Sequence, residues 1–251
     1  MRCLLSLLAL VSLPALAAGF NDTGILFCGD DNTNFVDCAV VAVDGATHPR
    51  QDARYGRDAA AMANVLPKVG AGQAAFDFTA LNALGQPTTA GSGPTPHPCV
   101  RDNLTGLVWE VKTANSSNPG LRDQQWSYTW YDSVHNYGGN PGTASGGYCK
   151  TSGRCDTEKY AADVNATALC GFSDWRMPTD DELQGIVHYG RANPSIDPTY
   201  FPNTPSSYFW SGSPYAGYPA FAWYVLFDGG NVYLGSKTYD YGYVRLVRGG
   251  Q

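Results

Sequence analysis

Tyrosine, serine and glycine residues are concentrated towards the end of the chain. Half of its sixteen tyrosines lie within residues 206–244, separated by short polar stretches. A tyrosine offers a large amphipathic contact surface and loses only two side-chain torsions on binding, while serine and glycine adapt around it. This composition predicts a surface that recognises another molecule through contact area and hydrogen bonds, rather than a set of acid–base or nucleophilic groups.

The candidate binding residues interleave with residues that form strands. Trp223, Val225 and Phe227 recur at every second position, which is the period of a strand with one buried face. A second alternating run, around Val244 and Leu246, predicts another strand. The residues between and beside these runs are the predicted ligand-binding residues: Tyr215, Tyr218, Ala220, Leu226, Asp228, Tyr233, Leu234, Ser236, Thr238, Tyr239, Asp240 and Tyr241.

Catalytic and metal-binding patterns are weak in the sequence. It contains no G-x-S-x-G, H-E-x-x-H or Walker motif, and its four histidines are scattered. Residues 30–34 (DDNTN) resemble the start of a calcium loop, but Phe35 replaces the required glycine and Val41 the closing glutamate. We therefore predict that the chain is not an enzyme and holds no cofactor. Calcium is left open as a ligand, without a convincing ligand cluster.

The first residues have the features of a secretory signal peptide. Arg2 precedes an apolar run that is too short to span a bilayer, and Ala15 and Ala17 form a small-x-small cleavage site. Residues 1–17 are therefore predicted to be a signal peptide. The chain is expected to be exported, to the periplasm, the medium or the cell surface, without a membrane span.

Six cysteines remain after the predicted signal peptide, and an even number in an exported chain indicates disulfides. Six cysteines allow fifteen pairings. Closing the shortest loops first favours Cys28–Cys38 and Cys149–Cys155, which leaves Cys99–Cys170 to connect distant parts of the fold. The absence of C-x₂-C and H-x₃₋₅-H spacings argues against a zinc site.

The net charge of −6 limits the classes of partner. Nucleic acids and anionic membranes are bound by basic surfaces, so neither is predicted as a partner. An extracellular protein or glycan is the expected ligand, and the oligomeric state is left open.

A stretch rich in proline, glycine, serine and threonine, residues 85–98, divides the chain. Residues 18–98 are predicted to be an N-terminal lead-in region that precedes or packs on the main domain, residues 99–251. Within the main domain two helices are predicted. Asp156 or Thr157 caps the first, which ends near Gly171. Its apolar face is predicted to contain Tyr160, Val164 and Ala168.

The second helix begins with a capping box, in which Thr179 is the N-cap and Glu182 the third helical residue. Asp180 and Asp181 add negative charge to the same turn. Carboxylates in a first helical turn are favoured by the helix dipole, so we interpret them as part of the helix start rather than as a metal site or an acid–base pair.

Several separated motifs resemble one known family. They are residues 105–110 (TGLVWE), 169–179 (LCGFSDWRMPT), 182–183 (EL), 196–197 (ID), 200–204 (YFPNT), 209–211 (FWS) and 243–249 (YVRLVRG). This set is similar to the DUF1566 family, whose domain also forms the C-terminal part of the Legionella collagen-like adhesin. The resemblance extends from Cys99 to Gly250. In the lead-in region, residues 20–24 (FNDTG) and 55–58 (YGRD) resemble N-terminal extensions of such proteins more loosely.

The resemblance implies an α+β fold of the C-type lectin-like kind. Such a fold has a small twisted antiparallel sheet, two helices, and long loops that present the binding face. Trp175 and Trp210 would then lie in the core. Adhesion or ligand recognition is the implied function.

The resemblance also implies that the binding surface is diversified. Some members of this family look like targets of diversity-generating retroelements, which vary codons in the last strands and loops. Positions with the residue types expected of such variation are Tyr218, Ala220, Leu226, Asp228, Tyr233, Leu234, Gly235, Ser236, Thr238, Tyr239, Asp240, Tyr241 and Gly242.

Two other functions stay open. The chain could be a structural or oligomerising component of a surface adhesin, although it carries no collagen-like or heptad repeats of its own. It could also be a relative of formylglycine-generating enzymes, which share the broad lectin-like architecture.

Overall fold

The computed structural model describes residues 21–29, 33, 35–38, 51–135 and 139–250. The predicted signal peptide lies outside the described residues, as does most of the calcium-like stretch 30–34. No helix of the described residues is long and apolar enough to cross a membrane.

These residues form an α+β fold with two antiparallel sheets. The helices are Gly56–Met62 (α1), Thr157–Ala166 (α2) and Asp180–Gln184 (α3). The strands are Phe78–Leu81 (β1), Cys99–Asp102 (β2), Val108–Glu110 (β3), Tyr208–Pro214 (β4), Phe221–Leu226 (β5), Asn231–Ser236 (β6) and Val247–Arg248 (β7). Short 3₁₀ turns occupy Asp52–Arg54 and Leu169–Gly171.

The first sheet has four strands in the order β1-β2-β3-β7. Strand β1 belongs to the predicted lead-in region, yet it pairs with β2 along its whole length, from Phe78 opposite Asp102 to Leu81 opposite Cys99. Phe78 also enters the central core cluster. The lead-in region therefore completes a sheet of the main domain rather than standing apart from it.

The second sheet has three strands in the order β4-β5-β6. Phe209, Val225 and Val232 are aligned across the three strands and point towards the central core. Trp210, Tyr224 and Tyr233 form the adjacent row, and they point to the opposite side because side chains alternate along a strand. We call these two sides the inner and the outer face of the sheet.

A buried charge network joins the end of the chain to the first sheet. Arg245 is fully buried, and its guanidinium donates to the backbone carbonyl of Glu110 and to Thr204 Oγ1, each at 2.7 Å. The Glu110 carboxylate accepts from Leu246 N at 3.0 Å, Lys112 Nζ at 2.9 Å and the Tyr160 hydroxyl.

Burial is the largest influence on the pKa of the two cations in this network, and it disfavours their charged forms. It lowers the pKa of Lys112 to about 8 and that of Arg245 to about 10, and the negative charge of Glu110 opposes both shifts. Because a buried charge without a counter-charge is costly, the network constrains how residues 245–246 lie against β3.

The helix starts agree with their sequence signals. Asp156 caps α2 by accepting from Lys159 N, and the capping box of Thr179 and Glu182 is complete at α3. The predicted end of the first helix is wrong. Helix α2 ends at Ala166, because Ala168 adopts a left-handed conformation with φ of 50°. Ala168 is exposed rather than part of the apolar face.

All three predicted disulfides are confirmed: Cys28–Cys38, Cys99–Cys170 and Cys149–Cys155. Trp175 and Trp210 are 2% and 0% exposed, as expected for core residues. Cys99–Cys170 links β2 to the turn that follows α2, across 71 residues of sequence.

The strands predicted near the end of the chain are only partly confirmed by the structure. Val225 and Phe227 are buried, but Trp223 is half-exposed at the margin of the inner face. The run through Val244 and Leu246 is not an alternating strand, since residues 244–247 are all buried and only Val247–Arg248 forms a strand. Buried residues surround this segment on both sides, so its hydrophobic pattern does not indicate a single buried face.

Candidate functional site

The outer face of the three-stranded sheet and the loop after β6 carry a group of phenol rings. Tyr208 and Tyr224 have ring centroids 4.8 Å apart, and Tyr224 and Tyr233 are 6.0 Å apart. Tyr241, from the loop after β6, lies 5.7 Å from Tyr148. We call these five residues together with Asp240 the tyrosine face.

Two tryptophans form a rigid base beneath the tyrosine face. Trp210 is fully buried, and its indole N–H donates to the Tyr128 carbonyl at 3.0 Å. The Trp130 indole N–H donates to the Ser211 carbonyl at 2.9 Å. Because both indole donors are paired, the base is fixed by hydrogen bonds as well as by packing.

Two glycines allow the backbone to lie directly on this base. A Cβ atom at Gly235 would lie 2.5 Å from the Trp210 ring, and one at Gly242 would lie 2.7 Å from it. Both distances are far below van der Waals contact. Gly235 is on β6 and Gly242 follows the loop after it, so the loop of residues 237–242 passes closely over the outer face.

Hydrogen bonds hold this loop at both of its ends. The Asp240 carboxylate accepts from Ser236 N at 2.6 Å, and Asp240 N donates to the Ser236 carbonyl at 3.1 Å. Lys237 is fully buried, with its ammonium 4.1 Å from the centroid of the Trp130 ring and 3.2 Å from the Asn140 carbonyl. A residue that looks like a surface cation in the sequence is therefore an anchor of the loop.

Two phenol groups of the tyrosine face, those of Tyr208 and Tyr224, have a raised pKa and stay protonated well above neutral pH. Burial raises the pKa of the Tyr208 and Tyr224 hydroxyls, and the negative charge of Asp240 raises both further. Each hydroxyl can therefore donate one hydrogen bond and accept others beside a carboxylate that only accepts. Such a set can bind hydroxyl, amide or ammonium groups.

The phenol rings are accessible to a ligand. Tyr148 is 69% exposed, Tyr233 48% and Tyr241 42%. Tyr239, in the same loop as Tyr241, is 80% exposed. Phe227, by contrast, is fully buried. The site thus consists of exposed aromatic groups on a base of buried ones.

A second aromatic group lies on the opposite side of the sheet, near the β4–β5 connection. Tyr215 contacts Trp223 with ring centroids 5.3 Å apart, and Tyr218 contacts Phe221 at 5.5 Å. Leu234 stands opposite Trp223 in the strand register. We call these five residues the tryptophan face.

The structure therefore distributes the predicted binding residues over several places. Tyr233, Asp240 and Tyr241 meet on the tyrosine face, whereas Tyr215, Tyr218 and Leu234 lie on the tryptophan face. The others follow the margins of the sheet. Leu226 and Asp228 lie at the β5–β6 turn, and Ala220, Ser236, Thr238 and Tyr239 lie at the other end of the hairpin.

Three residues of the tyrosine face were not among the predicted ones: Tyr148, Tyr208 and Tyr224. Tyr224 could have been found, because it alternates with Trp223 and Val225 in the pattern that predicted β5. Tyr148 gives no such signal. It immediately precedes the loop closed by Cys149–Cys155, and its backbone is paired with that of Ser127.

A cleft of about 340 Å³ lies beside Trp130, between the start of α2 and Gly212. Its charged groups are paired with neighbouring residues. Arg176 makes two hydrogen bonds of 2.7 Å to Glu182, and Glu158 accepts from Ser133 N at 2.6 Å. These groups hold the walls of the cleft together.

An acidic cluster joins the two loosely resembling motifs of the lead-in region. Carboxylate oxygens of Asp22, Asp52 and Asp58 lie within 4.8 Å of one another. Asp22 accepts from the N–H groups of Arg57 and Asp58, and Asp58 accepts from Gly24 N at 2.7 Å. Burial raises the pKa of Asp58. The cluster connects the first described residues to the start of α1.

The fold and the site define a class of protein: a disulfide-stabilised α+β domain that presents an aromatic surface on a small antiparallel sheet. Residues 98–248 match the family model of the Lcl C-terminal domain. The match covers more than half of the chain, which therefore belongs to this family, that of the C-terminal domain of the Legionella collagen-like protein. No curated protein and no solved structure matches the chain. The C-type lectin-like topology consequently stays a prediction.

Proposed function

We propose that this protein is an exported adhesion or recognition domain that binds an extracellular protein or glycan through the tyrosine face. The observation that carries the proposal is the stack of Tyr208, Tyr224 and Tyr233 beside Asp240, on a base of buried indoles. Exposed rings on a rigid base lose little entropy on binding. Membership of a family associated with an adhesin supports the same assignment.

The proposal is of binding rather than catalysis. The six cysteines that follow Cys3 are all in disulfides, so none of them supplies a free thiol. His97 and His188 are buried, and burial lowers the pKa of both. His97 is moreover held between Gly91 N and the Tyr200 carbonyl. These features favour structural roles for the groups that usually carry acid–base or nucleophilic chemistry.

We further propose that the exposed positions of this surface are the ones that vary among close copies of the gene. Tyr233, Tyr239 and Tyr241 project to solvent, so other side chains fit there without disturbing the core. Gly235 and Gly242 must be excepted, because any side chain would collide with Trp210. Sequencing the gene locus tests this idea. A nearby reverse transcriptase and a near-copy of the last strands are expected, and the absence of both would contradict it.

The binding proposal is tested by replacing Tyr233, Tyr239 and Tyr241 with alanine, alone and together. The probes are immobilised extracellular-matrix proteins and a panel of oligosaccharides, with binding measured by surface plasmon resonance. For a probe that the wild type binds, each hot-spot tyrosine should cost about 2 kcal/mol or more, equivalent to a roughly thirtyfold weaker affinity.

A matched control replaces three exposed apolar residues of the lead-in region, Val65, Val69 and Leu84, with alanine. This triple variant should bind like the wild type, and circular dichroism should show both triple variants to be folded. Unchanged binding by the folded triple-tyrosine variant would overturn the proposal.

A further inference from the structure

Among the strands that the structure describes, three of the four sheet edges are covered by other parts of the chain. Ala71 exchanges two backbone hydrogen bonds with Phe78 at the edge of β1, and Arg176 exchanges two with Val247 at the edge of β7. At β4, Tyr243 N donates to the Tyr208 carbonyl and its carbonyl accepts from Trp210 N. The remaining edge is that of β6.

The strand register shows which backbone groups of β6 face outwards. Lys237 N donates to the Ala220 carbonyl, which makes this a hydrogen-bonded pair of the antiparallel ladder. Because such pairs alternate with non-bonded ones, Tyr233 bonds inwards to β5, whereas Val232 and Leu234 direct their N–H and C=O groups outwards. Throughout the part of the chain that is described, no residue hydrogen-bonds these four groups.

The next outward-facing residue, Ser236, is already paired. Its N–H donates to the Asp240 carboxylate and its carbonyl accepts from Asp240 N. At the other end of β6 the chain turns, with Gly230 N donating to the Leu226 carbonyl. The open edge is thus limited to Val232 and Leu234.

Strand β6 also lacks the usual protection of an edge strand. Proteins commonly place charges, proline or a bulge on such a strand to prevent it from pairing with another chain. Asn231–Ser236 contains no charged residue and no proline, and its pairing with β5 is regular from end to end. Val232 and Leu234 are half-buried, and Tyr233 between them is exposed.

We propose that β6 pairs antiparallel with β6 of a second copy of this chain, forming a two-fold symmetric, six-stranded sheet. Val232 lies opposite Leu234 of the partner subunit, and Tyr233 lies opposite Tyr233 of the partner subunit. Both N–H and both C=O groups on each strand are then used, which gives four hydrogen bonds. This pairing goes beyond ligand recognition and does not depend on it.

Other two-fold registers satisfy fewer groups. Placing Leu234 opposite its own counterpart brings Val232 opposite Ser236, whose backbone is occupied by Asp240. Placing Val232 opposite its own counterpart brings Leu234 opposite Gly230, which is within the turn. Each of these registers leaves two hydrogen bonds instead of four, so the register centred on Tyr233 is favoured.

The side chains support the same register. Trp210, Tyr224 and Tyr233 form a row across the sheet, with successive ring centroids 6.0 Å apart. A second copy continues this row on the outer face through Tyr233 of the partner subunit. On the inner face Val232 meets Leu234 of the partner subunit. Asp228 and Asp240 lie beyond the paired positions, so no like charges are placed opposite one another.

The dimer is expected to be weak, because one short strand pair buries less than the roughly 800 Å² per partner of a stable interface. Sedimentation velocity of the mature chain from about 10 to about 500 micromolar should show a monomer–dimer equilibrium within that range. A sedimentation coefficient that stays at the value of the monomer over the whole concentration range would overturn the proposal. The same result is expected if the edge binds only a strand of another protein.

Leu234→Pro and Leu234→Ala separate the backbone from the side chain. Proline removes the outward N–H, which an edge strand tolerates, and should weaken dimerisation at least about tenfold. Alanine keeps the N–H and should remain within about threefold of the wild type. Equal association of the proline variant and the wild type would contradict edge pairing.

A cysteine at the centre of the register gives a second readout. Opposed residues in a non-bonded antiparallel pair have Cα atoms about 4.5 Å apart, within the range of a disulfide. Tyr233→Cys should therefore cross-link into dimers under mild oxidation. Tyr218→Cys, at a similarly exposed tyrosine away from the edge, is the matched control. Cross-linking of both at the same rate would argue against the proposed register.

Discussion

The two sheets of this protein differ in how completely their surfaces are used by the fold. Both edges of the four-stranded sheet are covered by other parts of the chain, and a buried network through Glu110 and Arg245 connects it to the end of the chain. The three-stranded sheet buries the centre of its inner face, at Phe209 and Val225, but leaves phenol rings exposed on the outer face.

This difference assigns stability mainly to the four-stranded sheet and recognition to the three-stranded one. In the four-stranded sheet both edges are paired with other segments of the described chain, so a change there is expected to affect folding. In the three-stranded sheet the unsatisfied groups and exposed rings are free to meet another molecule. Substitutions in the two regions should therefore have different effects on stability.

The largest effect is expected for Glu110→Gln in the buried network. Glutamine leaves Lys112 and Arg245 without their counter-charge in the interior, so the free energy of unfolding should fall by about 3–5 kcal/mol. Urea denaturation followed by circular dichroism measures it. Asp174→Asn, in the exposed pair with Arg248, is the control and should cost less than about 1 kcal/mol. Equal losses would show that burial of the network does not matter.

The disulfides should differ according to the loops they close. Replacing Cys99 and Cys170 with alanine opens a loop spanning 71 residues and should cost about 4 kcal/mol. The same replacement of Cys149 and Cys155, separated by 6 residues beside the tyrosine face, should cost about 2 kcal/mol. Thermal unfolding of both double variants gives the comparison. If the Cys149 and Cys155 variant lost more stability than the Cys99 and Cys170 variant, the short disulfide would contribute more than the entropy of closing its loop.

Acid should destabilise the core through His97. Its Nδ1 accepts from Gly91 N and its Nε2 donates to the Tyr200 carbonyl, which suits a neutral ring. Burial lowers the pKa of His97, so the unfolded chain binds a proton more readily than the folded one below pH about 6.5. Stability is therefore lost as the pH falls through that value, by about 1.4 kcal/mol for each unit of pKa shift.

This effect can be separated from that of other groups by comparing His97→Gln with the wild type at pH 7.5 and 5. The variant should lose less free energy of unfolding than the wild type over this interval. Identical losses in the two proteins would contradict a neutral, buried His97.

The smallest effect is expected in the exposed loop after β6, beside the tyrosine face. Tyr239→Ser removes a ring that is 80% exposed, so the free energy of unfolding should change by less than about 0.5 kcal/mol. Differential scanning calorimetry provides the measurement. A loss of about 2 kcal/mol or more would mean that the ring supports the fold, and the distinction between the two sheets would no longer hold.

Local features were predictable because neighbouring residues decide them. The capping box needs only Thr179 and Glu182, three positions apart, and it forms as expected. The disulfide pairing followed from loop length, since short loops close at the lowest entropic cost. The end of α2 was missed because Gly171 was the more obvious left-handed residue, while the chain turns at Ala168.

The composition of the binding surface was also visible in the sequence, but its arrangement was not. Strand alternation tells which residues share a face, and it correctly separated Val225 and Phe227 from their neighbours. It does not tell which of two partly exposed faces carries a site. Tyr233 and Leu234 are adjacent in sequence and appear on opposite sides of the same sheet.

Residue types and their short-range spacing are sufficient to predict the family, the disulfides, the helix starts and the tyrosine-rich character of the last strands. Only the tertiary structure decided that β1 of the lead-in region completes the first sheet, that Lys237 and Arg245 are buried, and that β6 alone among the described strands has an open edge. These features depend on which distant segment covers a given backbone or side chain. The residues of β4 alone do not show that its edge is covered by a distant residue such as Tyr243.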